Sequence, residues 1–112
     1  HLCTRAAQRA GAGYVRLSTP GSGPDPSAPT EAVVVGLPDR GWADVVLRDL
    51  DRFGALAVGP GVGTSTEVAA QVRRLVARAT LPTVVDGDGL RALGAQARDH
   101  SVLAPGPPLR WC

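Results

Sequence analysis

Residues 55–89 read ALAVGPGVGTSTEVAAQVRRLVARATLPTVVDGDG, and this stretch decides the fold. Ala55 to Val58 is a short apolar run that meets Gly59-Pro60-Gly61-Val62-Gly63 at once. A run of that length bounded by turn residues reads as a buried strand. Beyond the glycines, Val68, Val72, Leu75, Val76 and Ala79 recur at i, i+4, i+7, i+8 and i+11, the single apolar stripe of a helix. Thr64 and Glu67 have the spacing of a capping box and mark its start. Gln71, Arg73, Arg74 and Arg78 fall on the other side and are expected to face solvent. Thr80-Leu81-Pro82 ends the helix. Thr83 to Val85 is a second strand, finishing at Asp86, and Asp86-Gly87-Asp88-Gly89 turns the chain. Strand, helix and strand in that order specify two parallel strands with a helix on one face.

The same alternation extends in both directions. Leu2 to Ala10 reads as a helix with Ala6, Ala7 and Ala10 as a smooth face, stopped by Gly11 and Gly13. Tyr14 to Ser18 reads as a strand, and Thr19 to Thr30 as a Pro/Gly/Ser loop with nothing to pack. Ala32 to Val35 is a continuous run of the kind buried on both faces of a sheet. Leu37-Pro38-Asp39 turns into a helix from Ala43 to Phe53, carried by Val46, Leu47 and Leu50. Downstream, Leu90 to Ala97 is a short helix and Ser101 to Leu103 a last strand. The expected class is α/β, a parallel sheet with helices on its faces, and no internal repeat is present.

Composition excludes several function classes. The chain has 112 residues, enough for one domain or part of a larger one. Hydrophobic residues are 44% and charged residues 20%, a globular balance. The 14 glycines and 10 prolines follow no collagen period. Net charge is +2, and all 12 basic residues are Arg, interspersed with Asp rather than clustered. With aromatics at 4%, nothing supports a nucleic-acid surface. No apolar run approaches the ~20 residues of a membrane span. No signal-peptide pattern opens the chain, so a cytoplasmic setting is the expectation. Cys3 and Cys112 are expected as unpaired thiols. His1 and His100 lack the neighbouring ligands a metal needs. There is no Met, and the chain opens inside a helix, which reads as a fragment or processed product.

In a parallel sheet, ligands bind beyond the carboxyl ends of the strands. Two such ends carry chemistry. At Gly59, Gly61 and Gly63, missing Cβ atoms let a ligand reach the backbone, and the free N–H groups of the next helix favour an anion. Equally, the glycines serve a tight strand-to-helix turn and nothing more. The loop is no Walker sequence, because no Gly-Lys-Ser/Thr follows. It departs from the dinucleotide fingerprint at Thr64, where Gly or Ala belongs. Yet Asp86 ends the following strand where a ribose-binding acid sits, which keeps an NAD(P)-binding oxidoreductase domain as the alternative. At the second end, Asp86 and Asp88 have the chemistry to hold Mg²⁺ through water or to orient a hydroxyl. Otherwise Asp88 caps the helix and Asp86 bonds its own turn.

Taken together, the motifs resemble one family. Residues 55–63 are similar to its GPGLG segment, residues 81–90 (LPTVVDGDGL) to its P-x-V-x-DADAL segment, and residues 10–17 (AGAGYVRL) to its early aGaG-x-V segment. That family is the ATP/ADP-dependent NAD(P)H-hydrate dehydratases, and the resemblance spans Leu2 to Leu103. Other ribokinase-like small-molecule kinases share the architecture. The resemblance implies a three-layer ribokinase-like parallel sheet with helices on both faces, here incomplete. It implies a lyase of metabolite repair. The hydroxyl added to NADH or NADPH by hydration is phosphorylated with ATP or ADP and Mg²⁺, and phosphate is then eliminated. Carried over residue by residue, Gly59, Gly61, Gly63, Asp86 and Asp88 lie against the hydrated dinucleotide. The resemblance ends where the family has Thr-Pro-His and this chain has Ala104-Pro105-Gly106, so residues 104–112 read as an off-pattern tail. The family's nucleotide site and catalytic Asp belong to a later half. On that reading, residues 1–103 are an N-terminal half that is inactive alone, binds no nucleotide tightly, and self-associates, if at all, through an exposed sheet edge.

Overall fold

The computed structural model describes residues 1–23, 25–94 and 110–111. It holds two compact units, His1–Arg40 and Gly41–Cys112.

The first unit contains helix α1 (Leu2–Arg9) and strands β1 (Arg16–Pro20) and β2 (Val33–Leu37). The strands are parallel, Arg16 opposite Val33 and Pro20 opposite Leu37. Strand β1 therefore lies two residues beyond the expected Tyr14–Ser18. Two bonds set its ends, Val33 N–H to Val15 O at 3.0 Å and Gly21 N–H to Leu37 O at 2.9 Å. Pro20 is tolerated because it closes the strand. Strand β2 is not buried on both faces, as its composition predicts: Val33 is 43% exposed and only Leu37 is buried. Its one strand neighbour among the described residues is β1, too little to cover a sheet twice.

Of the stretch expected as a loop, Thr19 to Thr30, the first two residues close β1, and bonds gather at Asp25 in the rest. Asp25 Oδ1 accepts from Ser27 N at 2.9 Å and from Ser27 Oγ at 2.7 Å, and its Oδ2 lies 2.6 Å from His1 Nε2. The Ser27 bonds hold the Asp25 carboxyl below the usual carboxylate range.

The second unit runs α2 (Trp42–Asp49), a 3₁₀ turn (Leu50–Arg52), β3 (Leu56–Val58), α3 (Thr66–Arg78), β4 (Thr83–Val85), α4 (Asp88–Leu93) and β5 (Arg110–Trp111). The strand order is β3-β4-β5, all parallel, with Leu56 opposite Thr83, Val58 opposite Val85, and Val84 opposite Arg110. Strand β5 falls in the tail where no strand was expected; two residues leave no periodicity to read. The expected strand at 101–103, the end of the helix toward Ala97, His100 and Cys112 lie outside the described residues. These short parallel sheets with intervening helices agree with the α/β class.

The apolar stripe of α3 does what its spacing requires. Val72, Leu75 and Val76 are buried, 0%, 1% and 5% exposed, and α3 packs against both α2 and α4. Its start is corrected by one residue. Ser65, not Thr64, is the N-cap, and its side chain accepts from Val68 N–H at 3.2 Å. Glu67 does not reach back; its Oε1 accepts from Gln71 Nε2 at 3.1 Å, one turn further on. The polar face is not idle either. Gln71 Oε1 accepts the Ala43 N–H at 3.1 Å, Arg73 donates to Ala92 O at 2.7 Å, and Arg74 Nε donates to Asp44 Oδ1 at 2.7 Å. These bonds fasten α3 to its neighbours; Arg74 and Arg78 are exposed as expected, and Gln71 and Arg73 are half-buried. Helix α4 begins at Asp88, two residues before the expected Leu90. Among the described residues, no helix is long and apolar enough to cross a membrane.

Candidate functional site

Strands β3 and β4 are adjacent, parallel and level at their carboxyl ends, since Val58 pairs with Val85. Whatever follows them must therefore lie side by side. Gly59 follows one strand and Asp86 the other, and Asp86 N–H donates across to Val58 O at 3.1 Å.

The two loops interlock. Gly59 is buried with φ of +126°, a conformation that L side chains rarely adopt. Any Cβ there would run into Asp86 O and Gly89 N. Gly89, in α4, is the other half of this contact: a Cβ on it would lie 2.9 Å from Val85 Cγ1 and 3.0 Å from Gly59 Cα. Two glycines thus meet backbone to backbone. Further out, Gly63 N–H donates to Asp88 Oδ2 at 3.2 Å, a bond between loops 25 residues apart in sequence. Asp86 Oδ1 accepts from Gly87 N–H at 2.7 Å.

All five sequence-predicted residues, Gly59, Gly61, Gly63, Asp86 and Asp88, are brought to this one end of the sheet. Their roles divide. Gly59 is a packing position; Gly61, exposed with φ of +73° and open space around a would-be Cβ, is the accessible one. Asp88 is not the helix cap the sequence allowed, because α4 has Gly87 as N-cap and no side-chain cap bond. Asp86 does bond its own turn, as expected. Gly87 and Gly89 were not singled out from sequence, although the Asp86-Gly87-Asp88-Gly89 alternation was the signal. Small residues on each side of a tight crossing are what close backbone approach needs.

Among the described residues, no three of His, Cys, Asp and Glu come together to hold a metal. An open groove of about 440 Å³, lined by Asp44, Leu47, Arg48, Leu50, Arg78 and Thr80, lies at the C-terminal end of α3. At 1.5 Å per residue, the 13 residues of α3 put it roughly 20 Å from the glycine loop. The groove is therefore a separate feature.

Comparison with known proteins gives a consistent result. A family model described as NAD(P)H-hydrate dehydratase matches residues 1–107. The bifunctional NAD(P)H-hydrate repair enzyme Nnr of Salinibacter ruber is 38% identical over 102 residues, covering 82% of this chain and 19% of that enzyme. Its counterpart in Moorella thermoacetica is 34% identical over 121 residues, covering 95% and 23%. The ADP-dependent (S)-NAD(P)H-hydrate dehydratase of Xanthomonas campestris pv. campestris is 36% identical over 97 residues, covering 80% and 34%. The chain thus spans 19% to 34% of the length of these curated relatives. No solved structure matches it.

Proposed function

Because the chain belongs to the NAD(P)H-hydrate dehydratase family, we propose that its paired strand-end loops are the substrate-facing part of a dehydratase that repairs hydrated NADH or NADPH. In this reading residues 1–103 are the N-terminal half of a three-layer ribokinase-like domain, and Gly59, Gly61, Gly63, Asp86 and Asp88 border the hydrated dinucleotide. One observation carries it. The Val58–Val85 register and the Gly63–Asp88 bond set two motifs, 25 residues apart in sequence, side by side at one end of the sheet, which supports reading them as one site.

The residues' own contributions are positional. Gly61 offers main chain without a side chain in the way, so a flat ligand approaches the amide closely. Asp86 accepts the N–H of its own turn at Gly87 and Asp88 that of Gly63 in the facing loop, and together they fix the shape of the wall. Fixing a reactant against such a wall lowers the entropic part of a barrier without any proton transfer. The nucleotide, ATP or ADP, supplies the phosphoryl group that makes the added hydroxyl a leaving group. The described residues do not assemble a Mg²⁺ ligand set, so no step through nucleotide or metal is assigned to them. In this reading Gly61, Asp86 and Asp88 contribute binding and positioning. The family match supports this reading over an oxidoreductase domain.

The test is a titration of the ¹⁵N-labelled chain with hydrated NADPH (NADPHX; NADHX is the NADH counterpart), followed by amide shifts. Shifts at Gly61, Gly63 and Gly87 are expected. Shifts confined to the Asp44–Arg78 groove, or none, would remove the assignment. A parallel assay with NADHX and ATP or ADP should show no turnover by the 112-residue chain; nucleotide-dependent loss of NADHX would refute that part.

A further inference from the structure

Helix α4 carries Asp88 and Gly89 on very little structure. It has six residues, its N-cap is Gly87, and no side chain caps it. A helix that short does not hold itself in water, so its place is set by what it leans on. Gly89, Ala92 and Leu93 are its buried residues, and it packs against α3. Apolar burial is non-directional. It draws the two helices together but fixes neither rotation nor slide. Directed bonds do that. At the N-terminal end of α4, Asp88 Oδ2 accepts the Gly63 N–H at 3.2 Å. One such bond is a pivot. The second tie lies outside both loops: half-buried Arg73, on α3, donates from Nη1 to Ala92 O at 2.7 Å. Ala92 stands about one turn beyond Asp88 along α4. Its carbonyl is one of those that a helix end leaves without a partner inside the helix. A charge-assisted bond is the stronger kind, and a cation suits the carbonyl end of a helix.

We propose that Arg73 is a positioning residue: by gripping the C-terminal end of α4 it stops the helix from turning about its other tie, and so sets where the Asp88 carboxylate stands against the glycine loop. It acts through α4. Its neighbour Arg74 has no such role, because its bond runs to Asp44 of α2. That the wall so placed receives the hydrated dinucleotide rests on the function proposed above; the two ties between α3 and α4 do not.

The experiment follows the Gly63 amide of the ¹⁵N-labelled chain, without ligand. Asp88→Asn supplies the reference shift of a loop deprived of its carboxylate. Arg73→Ala should move the Gly63 amide toward that reference, and so should Arg73→Gln, which keeps more of the stem should the Ala variant fail to fold. Arg73→Lys keeps a cationic donor and should bring the amide back toward the parent position. Arg74→Ala should leave it in place. In a second titration, NADPHX should bind Arg73→Ala or Arg73→Gln about tenfold more weakly than the parent, the scale of one hydrogen bond from a charged donor. An unmoved Gly63 amide in the folded Ala or Gln variant overturns the proposal, since any loss of urea stability would then mean that Arg73 serves the fold alone. A displacement that Arg73→Lys leaves uncorrected, or that Arg74→Ala reproduces, overturns it too. A parent chain that binds no NADPHX would remove the proposed function, and the Gly63 shift would still decide the role of Arg73.

Discussion

Substitution of single glycines separates space from backbone strain. Gly89 occupies an ordinary helical position, but a Cβ there meets Val85 Cγ1 at 2.9 Å, Gly59 Cα at 3.0 Å and Val58 O at 3.1 Å. Gly89→Ala should cost about 1–3 kcal/mol, the range for overpacking a tight contact. Gly61→Ala meets nothing within 4 Å, yet its φ is +73°; about 1–2 kcal/mol of strain is expected. Gly13→Ala meets neither obstacle and should be near neutral. Urea denaturation should rank the three in that order, and a costly Gly13→Ala would undo the account. The clash at Gly89 was not legible in the sequence. A pattern of alternating Asp and Gly announces a turn, but which glycine is needed for dihedrals and which for clearance depends on the strand next to it.

Helix α3 shows where local pattern suffices and where it does not. Its stripe was readable because burial follows a 3.6-residue period whatever the partner is. Its cap was misplaced by one residue, because Thr64 and Ser65 are chemically equivalent candidates and only the loop geometry chooses between them. Ser65→Ala should cost about 1 kcal/mol in urea unfolding and Thr64→Ala much less; the reverse order would restore the sequence-based cap. The polar side of α3 was legible in its exposure, with Arg74 and Arg78 exposed and Gln71 and Arg73 half-buried, but not in its bonds. Charge predicts solvent, but the Arg74–Asp44 and Gln71–Ala43 bonds depend on how α2 lies on α3. Asp44 is held below its ordinary value of 3.8, chiefly by the hydrogen bond from Arg74. A depressed carboxylate stabilises the folded state above the unfolded pKa and loses that contribution as pH falls through the folded one. Asp44→Asn should therefore lower the thermal midpoint modestly at pH 7, and the gap to the parent should close in acid below 3.8. The effect is small because both partners are well exposed. A gap that widens in acid would contradict it.

Across the molecule, the second unit is centred on α3. Leu75 is 1% exposed, and Leu75→Ala should cost about 2–5 kcal/mol, measured by urea unfolding at the parent's slope. The strand–helix–strand core and the meeting of its loops were legible, because parallel strands joined by one helix leave their carboxyl ends together. Two things were not. The division into separately paired strands, β1 with β2 and β3 with β4 and β5, depends on long-range pairing that short β-branched runs do not encode. The internal use of Asp88 depends on a bond across 25 residues. That bond also gives the site a birth order. During synthesis the glycine loop leaves the ribosome first and stays a bare hinge; its carboxylate partner arrives only with the strand that must dock beside it. A nascent chain halted at Pro82 would own every glycine of the loop and neither carboxylate of the wall beside it.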